Sequence, residues 1–269
     1  MKHLLTLLLF FPILSSALTV TSLNVEWYGR GGRINGDSSQ EFRDREIVQF
    51  LTSEIPVSDV YVFQEITDPV RLASLFPALN CSTYEVESQS HQFVVICAKE
   101  DIVESFDAEF EVQLGRGGLR PAMILNLKEK STSQAISIVG LHLKAGTRET
   151  QTRLNQIEKL ANSLKISKKS LIIGDFNTFP FDVTGNWKDD HELMEDILSP
   201  VGYQHIENRV ATFLGRFPKT LDRAFSRGLE IQSLRVYGPC QKGSVQTPYQ
   251  NERFYNRNIS DHCAVQVKL

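Results

Sequence analysis

An acid and an amide, Asp175 and Asn177, follow a run of three aliphatic residues at 171–173. Such a run predicts a strand that is buried on both faces, and Gly174 permits that strand to pack closely against a neighbour. If the backbone stays extended, side chains two residues apart project to the same side and reach one pocket. Many α/β enzymes hold metal and phosphate chemistry at such strand ends. The alternative is a local Asx turn.

Polar side chains also stand at the ends of most other predicted strands. Carboxylates in that number repel one another unless a cation lies among them, so their convergence would form a metal site. Each residue alone has an ordinary explanation, such as a solvated charge, a hydrogen-bonded core histidine or a surface arginine. These residues are Asn24, Glu65, His142, Asp222, Asp261 and His262, together with Arg120 at the start of a strand, where a guanidinium is suited to bind phosphate.

Hydrophobic periodicity predicts the elements that position these residues. Strands are expected at about 18–27, 58–63, 82–87, 92–98, 102–112, 121–128, 134–143, 171–173, 220–226, 229–236 and after His262. Helices are expected at about 39–53, 67–76, 147–165 and 190–199. The third of these helices has an apolar face that extends to Leu164, with Arg153 off that face. Loops are expected at 28–37, 182–190 and 238–258.

The first 17 residues have the features of a signal peptide. Lys2 is followed by an apolar run at 4–14 and by small residues that end at Ala17, which predicts cleavage after Ala17. This run is too short to span a bilayer. We therefore expect a secreted or periplasmic protein without stable membrane insertion. The length of 18–269 suits one large α/β domain.

The formal net charge is −3, which argues against a protein that binds polyanions by bulk charge alone. It does not exclude a site where a divalent cation attracts a phosphate. Four cysteines in an exported chain permit two disulfides, with three possible connectivities. Cys81 and Cys97 are symmetric about a turn-like segment at 88–90, so a hairpin would pair them and leave Cys240 with Cys263. Free buried thiols are the alternative.

In order and spacing, these motifs resemble the endonuclease/exonuclease/phosphatase superfamily. Its members are metal-dependent phosphodiesterases, among them pancreatic-type deoxyribonucleases and abasic-site endonucleases. The most specific matches are Gly174-Asp175-Phe176-Asn177 and Ser260-Asp261-His262. Weaker matches are Leu23-Asn24, Phe63-Gln64-Glu65, Arg120-Pro121, Leu141-His142 and Leu221-Asp222-Arg223. The resemblance implies an α/β (α+β) fold, a four-layer α/β/β/α sandwich of two packed mixed sheets, in a single catalytic domain at 18–269.

The resemblance also implies how metal and phosphate would be bound. The expected cofactor is Mg²⁺ or Mn²⁺, with Ca²⁺ as a further option, against the scissile phosphate. Its implied ligands are Glu65, Asn24 and Asp261. The implied phosphate contacts are Arg120, Asn177 and His142, of which His142 would bind a phosphate oxygen or protonate the leaving group.

The remaining implied roles concern the attacking water. His262, oriented by Asp222, would deprotonate or align that water. Asp175 would position the water or stabilise the site. The implied catalytic set is therefore His142, Asp175, Asn177, Asp222 and His262. These roles agree with what phosphoryl transfer needs, which is positioning, a cation on the developing charge, and proton transfer.

Three better-defined subgroups fit less well. Phosphoinositide phosphatases carry a Pro-x-Trp-Cys-Asp-Arg run from which 219–223 departs, and abasic-site enzymes have Asn-Gly-x-Arg where this chain has Val25 after Asn24. Secreted sphingomyelinases share His142-Leu143-Lys144, but they insert exposed aromatic hairpins, for which Phe179-Pro180-Phe181 is a weak candidate.

We therefore expect a secreted, monomeric, pancreatic-type deoxyribonuclease-like nuclease that hydrolyses DNA, with RNA as the next substrate. The first alternative is a phosphatase or a sphingomyelinase-like phospholipid phosphodiesterase of the same superfamily. The second is a binding module that has kept the fold without turnover, although every core catalytic position is occupied by the expected residue type.

Overall fold

The computed structural model describes residues 17–29, 39–82, 92–109, 119–128, 135–183, 186–216, 218–241 and 247–269. The predicted signal peptide, most of the loop at 28–37 and the predicted strand at 82–87 lie largely outside these ranges, so they stay predictions. Among the described residues, no helix combines the length and the apolar character needed to cross a membrane.

Fourteen strands and five α-helices make up the described structure. The strands are β1 (Thr19–Tyr28), β2 (Val60–Ile66), β3 (Leu79–Cys81), β4 (Phe93–Lys99), β5 (Val103–Glu109), β6 (Ala122–Lys128), β7 (Ala135–His142), β8 (Lys169–Asp175), β9 (Pro180–Val183), β10 (Asn186–Asp189), β11 (Gln204–His205), β12 (Asp222–Arg227), β13 (Ser233–Tyr237) and β14 (Ala264–Lys268). The helices are α1 (Gln40–Ser53), α2 (Pro69–Ser74), α3 (Thr150–Ala161), α4 (Asp190–Leu198) and α5 (Glu252–Asn258).

The strands form two mixed six-stranded sheets and a separate two-stranded ribbon of β9 and β10. The first sheet has the order β13-β14-β1-β2-β4-β3, and the second has the order β11-β12-β8-β7-β6-β5. Alternate residues of a strand face opposite sides, so Val60 and Val62 of β2 pack in the core between the sheets. Tyr61 and Phe63 pack in a second core with residues of α1 and α5.

A third core covers the other side of the second sheet, where Ile172 of β8 packs with Ile157 of α3 and Met194 of α4. With helices outside both sheets, the expected four-layer α/β/β/α sandwich is confirmed. The apolar residues of β8 explain its position, because Leu171 and Ile173 contact the inter-sheet core while Ile172 contacts the helical layer.

The strand register gathers the polar strand ends. In the first sheet, β1 and β2 run parallel, with Asn24 opposite Gln64, the residue before Glu65. In the second sheet, β7 and β8 run parallel, and His142 is the register partner of Asp175. The antiparallel strand β12 begins with Asp222 opposite the same Asp175. The two sheets therefore present these residues at one edge of the sandwich.

Gly174 allows β8 to lie close to β7 just before Asp175. Its φ is +150°, and a Cβ added there would lie 2.2 Å from the backbone oxygen of Leu141. No side chain fits at that distance, so the close strand packing predicted for this glycine is confirmed.

Both predicted disulfides are present, Cys81–Cys97 and Cys240–Cys263. Cys81 and Cys97 are opposite each other on the antiparallel strands β3 and β4, which is the hairpin relation expected from their spacing. The alternative of free buried thiols is therefore wrong.

Three expectations about loops and helix length are wrong. The predicted loop at 238–258 contains α5, which Asn251 caps by accepting a hydrogen bond from the backbone N–H of Phe254 at 3.0 Å. The predicted loop at 182–190 contains all of β10 and the end of β9. The helix predicted at 147–165 ends at Ala161, which leaves Leu164 fully exposed.

Arg153 of α3 departs most from its expected place off the apolar face of the helix. It is fully buried, and its Nε donates to Asp190 Oδ2 at 2.8 Å. Its Nη1 donates to the carbonyl oxygens of Lys144 and Gly146, at 3.0 and 2.7 Å. The guanidinium is buried because it joins two helices and the loop after β7, and none of these contacts has a signal in helical periodicity.

Candidate active site

Asp175 lies at the centre of a buried polar cluster built from both sheets. Its Oδ2 accepts a hydrogen bond from Asn24 Nδ2 at 3.0 Å. The same oxygen lies 3.4 Å from His142 Nε2 and 3.9 Å from His262 Nε2. Three different strand ends therefore meet at one carboxylate, and the two imidazoles approach it from different sides.

Glu65 forms the first-sheet side of this cleft. Asn24 Nδ2 donates to Glu65 Oε1 at 3.1 Å, so one amide nitrogen holds both Glu65 and Asp175. The other oxygen of Glu65 accepts from the backbone N–H of Trp27 at 3.2 Å and from Gln92 Nε2 at 2.9 Å. Gln92 in turn accepts a hydrogen bond from Arg120. Both Glu65 oxygens are thus fixed in direction.

The backbone is strained where these groups are held. The described ranges contain four non-glycine residues with positive φ: Glu26 (36°), Trp27 (51°), Glu65 (61°) and Asn177 (50°). All four lie at the cleft, and the pairing of β1 with β2 and of β2 with β4 shifts register at the same places. Such strain persists only where the surrounding structure enforces it, and it tends to cluster at functional sites.

His262 forms the opposite side of the cleft. Its Nδ1 lies 2.8 Å from Asp222 Oδ2, and its backbone N–H donates to Ser260 Oγ at 2.9 Å. Ser260 Oγ donates to the carbonyl of Asn24 at 2.5 Å, which links this loop to β1. The ring of Phe213 packs edge-on against the imidazole, with centroids 5.2 Å apart. The imidazole is therefore fixed by a carboxylate, a backbone contact and an aromatic ring.

No protein-family model matches the sequence, and no curated protein is detectably similar to it. Solved structures do match it, at low identity. The endonuclease/exonuclease/phosphatase from Bacteroides vulgatus is 14% identical, with a TM-score of 0.67 over 94% of this chain and 98% of that chain. TDP2 of D. rerio complexed with single strand DNA product is 14% identical, with a TM-score of 0.63 over 94% and 98%. The human Nocturnin catalytic domain with bound sulfate anion is 16% identical, with a TM-score of 0.63 over 94% and 93%.

The chain has the endonuclease/exonuclease/phosphatase fold. The resemblance predicted from the strand-end motifs is thereby confirmed at the level of the fold.

The buried titratable side chains of the cleft have pKa values that differ strongly from their ordinary values. Burial raises the pKa of Asp175 to about 7, an effect that His262 opposes and Asp222 and Glu65 reinforce. Burial lowers the pKa of His142 well below its ordinary value, and the positive charge of Arg120 adds to this. Burial would also lower the pKa of His262, but Asp222 and Asp175 outweigh it and raise that pKa to about 10.

Asn177, Arg120 and Asp261 lie around this central cluster. The backbone N–H of Asn177 donates to Asp175 Oδ1 at 2.8 Å, and its side-chain Nδ2 donates to the carbonyl of Leu143 at 3.2 Å. Strand β8 ends at Asp175, and the backbone forms the Asx turn there. The side chain of Asp175 still lies in the polar pocket, so both expected alternatives are present. Arg120 is partly buried, and the charges of Glu65 and Asp175 act on it. Asp261 adds to the charges that raise the pKa of His262.

Three residues that support the cleft were not predicted as site residues, although Ser260 belongs to the Ser260-Asp261-His262 motif. Gln92 holds Glu65 and Arg120 as described, and Ser260 links the His262 loop to β1. Arg43 of α1 is fully buried and donates from Nη2 to the carbonyl oxygens of Val25, Glu26 and Ile259. The site residues predicted from the sequence are mostly carboxylates and imidazoles. Side chains that support the site by binding another side chain or a backbone carbonyl are therefore not predicted.

The donors of the cleft fit a divalent cation. One ligand atom each from Glu65, His142 and Asp175 lie within 4.8 Å of one another. The raised pKa of Asp175 means that the side chains around it leave its negative charge poorly compensated. Asp222 Oδ1 and His142 Nδ1 are buried and have no hydrogen-bond partner within the described part of the chain. A carboxylate-rich cluster with a single imidazole suits hard cations such as Mg²⁺ and Mn²⁺.

Proposed function

We propose that this protein is an exported, divalent-metal-dependent phosphodiester hydrolase that cleaves nucleic acid, with DNA as the preferred substrate. The observation that carries the proposal is the convergence of Asn24, Glu65, His142 and His262 on Asp175, in a fold whose solved examples include endonuclease/exonuclease/phosphatase proteins. Positioned carboxylates and two buried imidazoles are the groups that hydrolysis of a phosphodiester requires.

Mg²⁺ or Mn²⁺ would be held by Glu65, with Asp175 close enough to share it, and Asp261 is a further candidate ligand. When bound, the cation neutralises charge on the scissile phosphate and polarises it for attack. Asn24 acts differently in its present orientation. Its Oδ1 accepts from the backbone N–H of Glu26 at 3.0 Å, so its Nδ2 holds the two carboxylates together. The amide would have to turn before its oxygen became a ligand.

The two imidazoles would take different roles. Asp222 orients His262 by its Nδ1, so Nε2–H faces the reacting groups and would align the attacking water, because the raised pKa keeps this imidazole protonated at neutral pH. His142 is neutral at physiological pH, because its pKa is strongly lowered. Its ring N–H would donate a hydrogen bond to a phosphate oxygen or to the leaving oxygen. Arg120 and Asn177 would contribute further donors to the phosphate.

The substrate class and compartment have separate support. D. rerio TDP2 is complexed with a single strand DNA product, and human Nocturnin binds a sulfate anion, which resembles a phosphate group. Two disulfides fit an oxidising compartment and the signal peptide predicted at 1–17. A net charge of −3 fits a nuclease that relies on a bound cation to attract its substrate.

The deciding experiment is a substrate panel. Purified 18–269 would be tested with Mg²⁺, Mn²⁺ and Ca²⁺ against plasmid DNA, single-stranded DNA, RNA, a phosphoinositide, sphingomyelin and a phosphomonoester. We expect DNA cleavage that EDTA stops and that added Mg²⁺ or Mn²⁺ restores. Metal-dependent release of phosphate or phosphocholine with intact DNA would contradict the nuclease proposal and assign the alternative class. Absence of hydrolysis of every substrate would contradict the enzyme proposal itself.

A further inference from the structure

A second group of metal-binding side chains lies outside the cleft, between α4 and the edge strand β11. His191 and Glu195 are four residues apart on α4, which places them on one face of the helix. His205 stands on β11 as the register partner of Phe225. One nitrogen from each imidazole and one oxygen of Glu195 lie within 4.8 Å of one another.

The short connection between α4 and β11 keeps these three residues close together. The helix ends in a short 3₁₀ turn at Ser199–Val201, and Gly202 reverses the chain with a φ of +90°. The backbone N–H of Tyr203 then donates to the carbonyl of Leu198 at 3.1 Å. Met194 and Leu198 face the core, so the face with His191 and Glu195 is left beside β11.

The polar contacts in this group leave ring nitrogens available to a ligand. His205 Nδ1 lies 2.8 Å from Glu195 Oε1, and His191 Nδ1 lies 2.8 Å from Asp189 Oδ1. The two imidazole centroids are 5.4 Å apart. His191 Nδ1 is buried and makes no hydrogen bond in the ranges that the structure describes, because its approach to Asp189 lacks hydrogen-bond geometry. The other ring nitrogen of His205, Nε2, is likewise buried and unpartnered there. His191 thus has one buried ring nitrogen that the protein itself does not use, at a cost in free energy.

We infer that His191, Glu195 and His205 form a second metal site, which binds a transition-metal cation such as Zn²⁺. Two imidazoles and a carboxylate are a set that zinc accepts, and water fills the fourth position. The cleft has the opposite balance, with several carboxylates, and suits Mg²⁺ or Mn²⁺. The two sites are therefore distinguished by donor chemistry as well as by place.

The geometry needs a small adjustment to bind the ion. Bonds of about 2.0–2.2 Å in a tetrahedral site place ligand atoms about 3.3 Å apart. The 2.8 Å contact between His205 and Glu195 would open slightly as the cation replaces the shared proton, and the wider gaps would close. The side chains of His191, Glu195 and His205 are 21%, 38% and 13% exposed, so an ion can enter from solvent and the side chains can move.

The surrounding charges permit a cation. Asp189 and Glu207 act on His205 from nearby and oppose the positive charge of Arg223. Arg223 Nη2 itself lies 3.4 Å from Asp189 Oδ2. The competing explanation is that the two imidazole–carboxylate contacts are complete hydrogen-bonded pairs with no affinity for metal.

Equilibrium dialysis of the untagged protein against Zn²⁺ tests this. The cleft also binds cations, so the number of zinc ions per chain is compared between wild type and single variants. We expect His205→Gln and Glu195→Gln each to lose one bound zinc, with an affinity at that site at least tenfold weaker. Glu65→Gln should keep the zinc that those variants lose. Zinc should also raise the thermal midpoint of wild type more than that of either variant.

Glu192→Gln is the matched control, because Glu192 is an exposed carboxylate on the same helix. It should bind zinc like wild type. If His205→Gln fails to fold, Glu195→Gln decides alone, since the Glu195 side chain is 38% exposed and packs less tightly than the 13% exposed His205. Two folded variants that bind zinc as wild type does would overturn the site, as would loss of all zinc binding in Glu65→Gln. Neither result depends on whether the protein hydrolyses DNA.

Discussion

His142 and His262 lie in the same cleft, 3.4 and 3.9 Å from the same oxygen of Asp175, yet their pKa values move in opposite directions. Both side chains are buried, so burial alone does not explain the difference. The cause is the other charged group that acts on each imidazole besides Asp175. His262 has Asp222 at 2.8 Å, whereas Arg120 is the main charged group that acts on His142.

The difference teaches how one buried site keeps two imidazoles in different protonation states. A carboxylate in direct contact stabilises the imidazolium of His262, and a nearby guanidinium destabilises that of His142. Two titratable groups whose environments separate their pKa values can take different roles in acid–base chemistry. The cleft is therefore asymmetric, and each of its sides can be tested separately.

Replacement of either histidine should have the largest effect. His142→Ala and His262→Ala should each lower kcat on DNA at least about a hundredfold, the scale of general acid–base catalysis. The measurement is initial rates of plasmid cleavage over a range of Mg²⁺ concentrations. Glu192→Gln is the control for expression and handling, because that exposed carboxylate lies outside the cleft. If one histidine proves dispensable, the two-sided description of the cleft is wrong.

Asp222→Asn should remove the asymmetry. Without the carboxylate, burial dominates, so the pKa of His262 should fall from about 10 toward or below 6.5 while that of His142 stays low. Imidazole NMR signals of the metal-free protein report both values. His142 serves as the internal control, and an unchanged His262 titration would show that Asp222 is not the cause.

The same substitution has a consequence for stability with a definite sign. The folded-state pKa of His262 is raised above its unfolded value, so the stabilisation is complete below about pH 6.5 and is lost as pH rises through about 10. The free energy of unfolding of wild type should therefore exceed that of Asp222→Asn by about 4–5 kcal/mol near pH 6. The gap should narrow toward pH 10, as urea unfolding at several pH values would reveal.

The sequence was sufficient to predict the cleft residues that directly follow hydrophobic strands. The runs before Glu65 and Asp175 are strongly apolar, and a polar residue directly after such a run has little freedom to lie elsewhere. The Asx turn at Asp175 was one of the two alternatives expected there, and it is present. The positive φ of Glu65 was not predictable, because it follows from neighbouring strands rather than from local composition.

Long-range contacts, polar and aromatic, account for most of what was missed. Arg153 is buried by Asp190, 37 residues later, and α5 is held by Tyr255, whose ring lies 5.1 Å from that of Phe50. Neither contact produces a periodic pattern in its own segment. Gln92 is the same case at the cleft, since an amide before a strand carries no signal that it supports a carboxylate 27 residues away.

Gln92 provides the smallest and most selective test of the Glu65 side. Its Nε2 donates to Glu65 Oε2 at 2.9 Å, and its Oε1 accepts from Arg120. Gln92→Ala should leave Glu65 Oε2 held by the backbone N–H of Trp27 and no longer by a side chain. We expect this to weaken Mn²⁺ binding about tenfold, the lower range for loss of a residue that orients a ligand. Calorimetric titration of Mn²⁺ measures this, and the NMR titration of His262 should not change.

Gln64→Ala is the matched control for this test. Gln64 is buried and directly precedes Glu65, but its Nε2 donates to Ser22 Oγ at 3.0 Å, away from the carboxylates. It should lower the thermal midpoint with little change in Mn²⁺ affinity, because only the strand packing loses a contact. Equal losses of affinity in both variants would mean that Mn²⁺ binding follows general stability. A loss confined to Gln92→Ala would mean that the cleft depends on a directed hydrogen bond to Glu65, which His262 and its side of the cleft do not share.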